Sequence, residues 1–365
     1  MKRIGLLAAD LTYFSGWAHY SLNIIQALRA SGVHLTVLTA RNSPAVPGLT
    51  SLPILPTVDP LDRRMMIRML RVYPRARAAM ANCDVIHALI EPYAPLAALL
   101  AGERPLIITG HGSYLSIIQR RPRVIRDVYR RALLRSTIAC VSHYTAGVLQ
   151  ALIPGLRTVV IPNGVDFARY GAIQHVGGRV PTVLSIGAVK GRKGMLELVQ
   201  AIARVREHLP TVQCRIIGSL DAEPETVARV RAAIHDLDLA EHVHLLGKVP
   251  DTDLLDHYAA ADVFVLASVN VWGKFEGYGL ALAQASAAGL PIIGSRDCGA
   301  EEVVQHEETG LLIPQGSDMT AHLAAGITRL LTDTALAARM GAAGRAWAQT
   351  QTWERAAARL LDLYG

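Results

Sequence analysis

The stretch ADVFVLASVNVWGKFEGYGLALAQASAAGLPIIG, residues 261–294, decides how the chain folds. It opens on an apolar run, Val263 to Leu266, with the length and composition of a buried strand. A polar loop carrying Trp272, Lys274 and Glu276 follows, then Gly277 and Gly279, then a helix of small and apolar residues from Leu280 to Ala288. Gly289 ends that helix, and Pro291 to Gly294 begins the next strand. A glycine turn that feeds a helix N-terminus offers free backbone N–H groups and the positive end of a helix dipole, a site for phosphate. Glu276 would repel phosphate, so its carboxylate is expected to accept hydrogen bonds from hydroxyls beside the phosphate, as on a sugar. Taken alone, the stretch is equally a plain strand–turn–helix unit with an exposed glutamate at its N-cap.

The same order recurs outward in both directions. Ile4 to Ala8 reads as a first strand, followed by the loop LTYFSGWAHY with Gly16, a helix from Ser21 to Ala30, and a strand from Leu35 to Thr39. Further strands are expected at 84–88, 106–109, 137–141 and 158–161, and the Pro-rich residues 44–60 read as a surface loop. Glycine-rich residues 170–180 mark a domain boundary. A second series then starts with a strand at 183–187, the loop AVKGRKG (188–194) and a helix from Met195 to His208, with strands at 213–217, 243–246, 263–266, 291–294 and 311–313. This predicts two doubly wound α/β domains. Ligands in open α/β sheets bind beyond the C-terminal strand ends, and the loops at Gly16, His111, Asn163, Lys193 and Glu276 all follow strands. The missing GxGxxG excludes a nicotinamide or flavin fingerprint.

Of 365 residues, 51% are hydrophobic and 18% charged, enough for two packed cores and without a disorder signature. No apolar run approaches the roughly 20 residues that cross a bilayer, and Asp10 cuts short any signal-peptide core, so Met1 onward reads as a strand. The four cysteines, at 83, 140, 214 and 298, suit neither zinc nor a disulfide framework, which points to a reducing cytosol. The net charge of +7 conceals an asymmetry: residues 1–178 hold 20 Lys and Arg against 8 Asp and Glu. All those cations except Lys2 are arginines, concentrated in DRRMMIRMLRVYPRAR (62–77) and RRPRVIRDVYRRALLR (120–135). Arginines interleaved with apolar residues at helical spacing suggest contact with an anionic membrane surface, or else a solvated helix face. Nucleic acid is not expected, because stacking aromatics do not accompany the arginines.

Lys190, Arg192 and Lys193 lie between glycines just before a helix, which is what a departing diphosphate needs for charge neutralisation. DTD (251–253) precedes a helix, and Asp251 reads as an N-cap rather than a metal ligand. His242, His244, His257, His306 and His322 lack ligand spacing, so no metal is expected to be required. His143 starts a helix and suits a surface role.

Together, the segments SGWAHYSLNIIQALRASG, TGHG, VSHYTAGVL, VIPNGVD, SIGAVKGRKG, HLLGKVPDTDLLDHYAAADVFVLAS, EGYGLALAQASAAGLPII, EEVVQHEETGLLIP and TWERAAARLLDLY resemble the retaining glycosyltransferases of family 4. The loop VNVWGKFEGYG is most similar to the bacterial branch that includes the phosphatidylinositol mannosyltransferases. The resemblance covers nearly the whole chain. It implies the GT-B fold, two Rossmann-like domains facing across a cleft: an acceptor-binding domain at 1–170, joined by a C-terminal helix at about 350–365 that crosses back, and a donor-binding domain at 171–349. It implies transfer of a hexose-type sugar from a nucleoside diphosphate sugar (UDP, GDP or ADP) to a hydroxyl acceptor, anionic, lipid-linked or part of a cell-envelope glycan, in the cytoplasm or peripherally at the inner membrane face.

The resemblance also implies site roles. His111, Lys193 and Glu276 are the catalytic set. Gly16, Arg192, Lys193, Gly279 and Leu280 would hold the donor diphosphate, and His111, Glu276, Gly277 and Tyr278 the donor sugar. Gln284 takes the place of the glutamate that binds the ribose, and Ala188 that of an arginine many members carry. Those two departures support an alternative, a sugar-nucleotide-binding protein without transfer. A second alternative is an epimerase or phosphorylase on the same scaffold.

Overall fold

A computed structural model describes residues 2–12, 15–58, 64–176 and 180–365. Tyr13 and Phe14 of the first loop, residues 59–63 at the head of the first arginine segment, and residues 177–179 of the expected boundary lie outside the described residues. The chain forms two compact units: Met1–Gly164 together with Trp353–Gly365, and Val165–Thr352.

The first unit is built on a parallel sheet of seven strands: β1 (Arg3–Leu7), β2 (His34–Ala40), β3 (Ser51–Leu55), β4 (Val85–Ala88), β5 (Leu106–Gly110), β6 (Thr137–Cys140) and β7 (Arg157–Val160). Their order is β3-β2-β1-β4-β5-β6-β7. The second unit holds six parallel strands: β8 (Thr182–Ile186), β9 (Gln213–Ile217), β10 (Val243–Gly247), β11 (Val263–Leu266), β12 (Ile292–Ser295) and β13 (Gly310–Ile313). They run in the order β10-β9-β8-β11-β12-β13. Both are doubly wound sheets, as the alternating pattern predicts. The central strands are apolar on both faces because helices cover both; β4, β5, β11, β12 and β13 are buried throughout.

The strand β3 falls within residues 44–60, which the sequence reads as a loop. Pro53 masks it, since proline cannot donate to a ladder. At the edge of the sheet, beside β2 alone, that missing donor is tolerated. The unit boundary falls after Gly164 rather than near residue 170. The helix Phe167–Tyr170 packs on the helix Leu280–Ala287, and the Tyr170 ring stands edge-on to Tyr258 at 5.5 Å, so these residues belong to the second unit.

The arginine segments form the helices Met65–Ala79 and Arg123–Arg135. In the first, Met65, Met69, Val72 and Ala76 make a buried stripe at helical spacing, which turns Arg64, Arg68, Arg71 and Arg75 outward. The final helix, Trp353–Tyr364, packs on the helix Gly16–Ala30 of the first unit; its Trp353 ring lies edge-on to Tyr20 at 5.8 Å. All four cysteines are buried free thiols.

Candidate active site

In the second sheet the chain passes from β8 to β9 on one side and from β11 to β12 on the other. A crevice therefore opens beyond the C-terminal ends of β8 and β11. The loops there touch backbone to backbone. Gly194 closes the single 3-10 turn Gly191–Lys193 in a left-handed conformation (φ 65°), and a Cβ on it would lie 1.7 Å from the Ala267 carbonyl oxygen. The Val269 N–H donates to the Arg192 carbonyl at 2.9 Å. From the other side the Gly299 N–H donates to the Glu276 carbonyl at 2.7 Å.

This lacing brings the basic loop onto Glu276. Lys193 Nζ lies 2.5 Å and Arg192 Nη1 3.2 Å from Glu276 Oε2, and Ser268 Oγ donates to the same oxygen at 3.3 Å. Burial pushes the Glu276 carboxyl up, but the Lys193 ammonium and Arg192 guanidinium outweigh it and hold the pKa at about 2. Burial lowers the Lys193 pKa, which Glu276 opposes and Arg192 reinforces. Two cations on one carboxylate account for the first direction, and burial of the ammonium for the second.

A second carboxylate is similarly outnumbered. Glu223 Oε2 accepts from the Gly191 N–H at 2.9 Å, and Glu223 Oε1 lies 3.8 Å from Lys274 Nζ. Burial and then the neighbouring Arg192 lower the Lys190 pKa. Lys190, Arg192, Lys193 and Lys274 thus share two carboxylates, and the surplus positive charge suits a polyanion. Beside them, Gly279 (φ 92°) is the N-cap of the helix Leu280–Ala287, whose N-terminus no side chain caps. Gln284 lies on this helix and accepts a 3.4 Å hydrogen bond from the Tyr258 hydroxyl through Oε1, which leaves its amide as a donor. Tyr278 is buried, so its ring is a packing element of the loop.

In the first unit the corresponding crevice lies beyond β1 and β4. Gly16 begins a helix whose N-cap Ser15 accepts from the Ala18 N–H at 3.1 Å; a Cβ on Gly16 would meet no protein atom within 4 Å. His111 follows β5, and residues after β4 brace it. Glu91 Oε1 accepts from the backbone N–H groups of His111 (2.6 Å) and Gly112 (3.0 Å), and the Leu89 carbonyl accepts from His111 Nε2 at 2.9 Å. A carbonyl only accepts, so Nε2 carries the proton and Nδ1 keeps its lone pair in the neutral ring. Burial lowers the His111 pKa, with Glu91 opposing it.

Behind His111 runs a buried polar chain that joins four elements, the helices Gly16–Ala30 and Trp353–Tyr364 and the strands β4 and β5. Tyr20 stands edge-on to the His111 ring at 4.8 Å, and its hydroxyl meets Thr109 Oγ1 at 3.1 Å. Thr109 Oγ1 meets His87 Nε2 at 2.9 Å, and His87 Nδ1 meets the Tyr364 hydroxyl at 2.7 Å. Burial, aided by His111, lowers the His87 pKa to about 3.

The structure therefore groups Arg192, Lys193, Glu276, Gly277, Gly279 and Leu280 in the second unit, and holds Gly16 and His111 in the first. It pairs Lys193 with Glu276, two residues the sequence assigns to different ligand groups. Sequence reasoning missed Glu91, Glu223, His87 and Tyr364. Glu91 is legible in hindsight as the lone charge in VIHALIEPY. Asp251 is the first residue of the helix Asp251–Ala259, after Pro250 as N-cap, and its carboxylate meets Arg169 at 2.6 Å, so the expected N-cap role is replaced by an ion pair.

The sequence profile of the glycosyl transferases group 1 matches residues 172–347, and that of Glycosyltransferase Family 4 matches residues 14–169. A GDP-mannose-dependent alpha-(1-6)-phosphatidylinositol monomannoside mannosyltransferase of Mycobacterium tuberculosis is 32% identical over 311 residues, 79% of this chain and 78% of the relative. The chain belongs to the group 1 glycosyl transferases. A phosphatidyl-myo-inositol mannosyltransferase of Mycobacterium tuberculosis is 30% identical over 300 residues, 78% of this chain and 74% of that one. Among solved structures, the sucrose-phosphate synthase of Thermosynechococcus elongatus superposes with a TM-score of 0.82 at 23% identity, covering 100% of this chain and 98% of that chain. Anabaena HepE in complex with UDP-glucose superposes at 0.79 with 19% identity, covering 99% of this chain and 100% of that one. The fold is GT-B, with a Rossmann-like sheet in each unit, and this member of the family is a glycosyltransferase.

Proposed function

We propose that this glycosyltransferase moves a hexose-type sugar from a nucleoside diphosphate sugar to a hydroxyl acceptor with retention at the anomeric carbon. The observation that carries the reading is the outnumbered pair Glu223 and Glu276 among Lys190, Arg192, Lys193 and Lys274, beside the uncapped helix at Gly279. A diphosphate supplies the negative charge this cluster lacks. As the bond from the anomeric carbon to the diphosphate breaks, charge grows on the leaving oxygens, and Lys193, Arg192 and the helix N-terminus stabilise it there. The acceptor oxygen bonds to the same face of the carbon, and its proton passes to the departing diphosphate. Glu276, held ionised, accepts from sugar hydroxyls, Gln284 donates to the ribose, and His111 contributes its unprotonated Nδ1. The metal-free chemistry of this scheme rests on these cations alone.

Relatives whose names carry phosphatidylinositol and GDP-mannose favour a mannosyl donor and a lipid-linked acceptor. The first unit has a surface suited to such an acceptor. Ile67, Leu70 and Val124 are 52%, 58% and 75% exposed on the two arginine-rich helices, a combination of cations and apolar side chains that fits an anionic bilayer surface. Among the described residues no helix is long and apolar enough to cross a membrane.

A thermal-shift screen with UDP, GDP, ADP, dTDP and their sugar conjugates tests the donor. One diphosphate that raises Tm above the rest, more strongly as its sugar conjugate, is the expected result. Silence across the panel would favour a degenerate member, the reading that Gln284 supports. Co-sedimentation with phosphatidylglycerol vesicles, lost at high salt and in a variant with these arginines replaced by glutamine, tests the membrane surface.

A further inference from the structure

We propose that Trp272 is a recognition residue of the second unit, a platform on which a carbohydrate ring stacks beside the cation cluster. The inference rests on the glycosyltransferase reading for what binds there, and on independent observations for the platform itself.

Trp272 and Gly273 form the tip of a two-residue hairpin closed by two backbone hydrogen bonds, Val271 N–H to Lys274 carbonyl at 3.0 Å and the reverse at 2.9 Å. Both tip residues are left-handed, with φ of 55° and 75°. That turn favours asparagine or glycine at its first position, and a bulky side chain there strains the backbone. The indole gains little by burial in return, because Trp272 is 79% exposed, whereas Trp353 is buried and Trp17 and Trp347 are partly so. A large aromatic face therefore stands exposed at a turn position whose backbone favours a smaller residue.

The hairpin is also held firmly at its base. The Asn270 N–H donates to Gln315 Oε1 at 2.6 Å, Asn270 Nδ2 donates to the Asp297 carbonyl at 2.7 Å, and Phe275 is buried. Lys274 Nζ at 3.8 Å from Glu223, which also takes the Gly191 N–H, fixes the hairpin against the basic loop. The aromatic therefore sits two residues before Lys274, on the anchored loop that carries Glu276. Phosphate has no use for an indole face. A sugar or cyclitol ring has, because its C–H faces meet the negative face of the aromatic while its hydroxyls stay free for carboxylates such as Glu276.

The experiment follows acrylamide quenching of tryptophan fluorescence in the wild type less that in Trp272→Phe, a difference that isolates Trp272 from Trp17, Trp347 and Trp353. UDP, GDP, their glucose and mannose conjugates, methyl α-D-mannopyranoside and myo-inositol are the probes, the last two with and without saturating diphosphate. Ring-bearing probes are expected to protect Trp272 and bare diphosphates are not. Protection by the conjugates alone identifies the donor ring, and protection by the free glycoside or inositol identifies the acceptor ring. Trp272→Asn is expected to raise Tm by about 2 °C through relief of the strained turn. It should keep the diphosphate thermal shift, and weaken the protecting probe at least tenfold, with Trp272→Phe recovering most of that loss. A merely structural residue would move stability and binding in the same direction. Unchanged ring affinity in Trp272→Asn overturns the proposal. So does protection by phosphatidylglycerol vesicles with none by any ring probe, which would make the indole a membrane contact. If no diphosphate shifts the wild type, the donor-site reading fails, and the two free ring probes still decide the role of Trp272.

Discussion

Lys193 and Glu276 are 83 residues apart in the chain, and their side chains meet at 2.5 Å in the second unit. The contact exists because Gly194 and the Ala267 carbonyl leave no room between the loops after β8 and β11. A carboxylate shared with Arg192 keeps its charge, and the ammonium keeps a site ready for a second anion.

Removing the ammonium tests the cluster. Lys193→Ala is expected to lower turnover by at least about 100-fold, the size of effect seen when one preorganised charge-stabilising donor is lost. Arg192 remains to neutralise Glu276, so the circular dichroism spectrum should stay that of the wild type. Turnover within threefold of wild type would remove Lys193 from the phosphate site.

Gly194→Ala separates geometry from charge. The added methyl would fall 1.7 Å from a backbone oxygen at a left-handed position, and neither partner is a flexible side chain. A loss of about 2–4 kcal/mol in urea unfolding is expected, together with weaker diphosphate binding, although no charged group has changed.

The buried His87 predicts an acid limb of stability. Its pKa lies at about 3 in the folded state against an ordinary 6.5. A depressed pKa means that the unfolded chain takes up the proton first. Its contribution is thus fully present above pH 6.5 and is lost as the pH falls toward 3, at up to about 1.4 kcal/mol per pH unit. His111, also lowered, adds in the same direction. His87→Gln keeps a hydrogen-bonding group between Thr109 and Tyr364 but cannot titrate. Urea midpoints measured from pH 7 to pH 4 should fall less steeply in that variant.

Gln284→Glu addresses the ribose assignment. A charge-assisted hydrogen bond is about twice as strong as a neutral one, so the variant is expected to bind its nucleoside diphosphate about tenfold more tightly by calorimetry. The gain should vanish with a 2′,3′-dideoxy nucleotide. An equal gain with both would mean that position 284 faces something other than the ribose.

Much of this architecture is written in local sequence. Apolar runs such as VFVL and LII, each followed by a glycine loop and a helix, mark buried parallel strands, because only a strand covered on both faces can be apolar throughout such a run. The edge strand β3 escapes that logic, being half exposed and holding Pro53. Residue types in the basic loop and at Glu276 are legible as binding groups, whereas their mutual pairing is not, because nothing local encodes a contact across 83 residues. The chain from Tyr20 to Tyr364 is hidden for the same reason: single polar residues in apolar elements look like tolerated exceptions until their partners are seen.

The helix Trp353–Tyr364 belongs to the first unit although it follows the whole of the second in the chain. During synthesis on the ribosome, residues 165–352 form an uninterrupted stretch that can finish folding while the earlier unit still lacks the helix that packs on Gly16–Ala30 and the hydroxyl that meets His87. The order of maturation is then the reverse of the order of translation. A truncation that removes residues 353–365 would injure the first unit and spare the second.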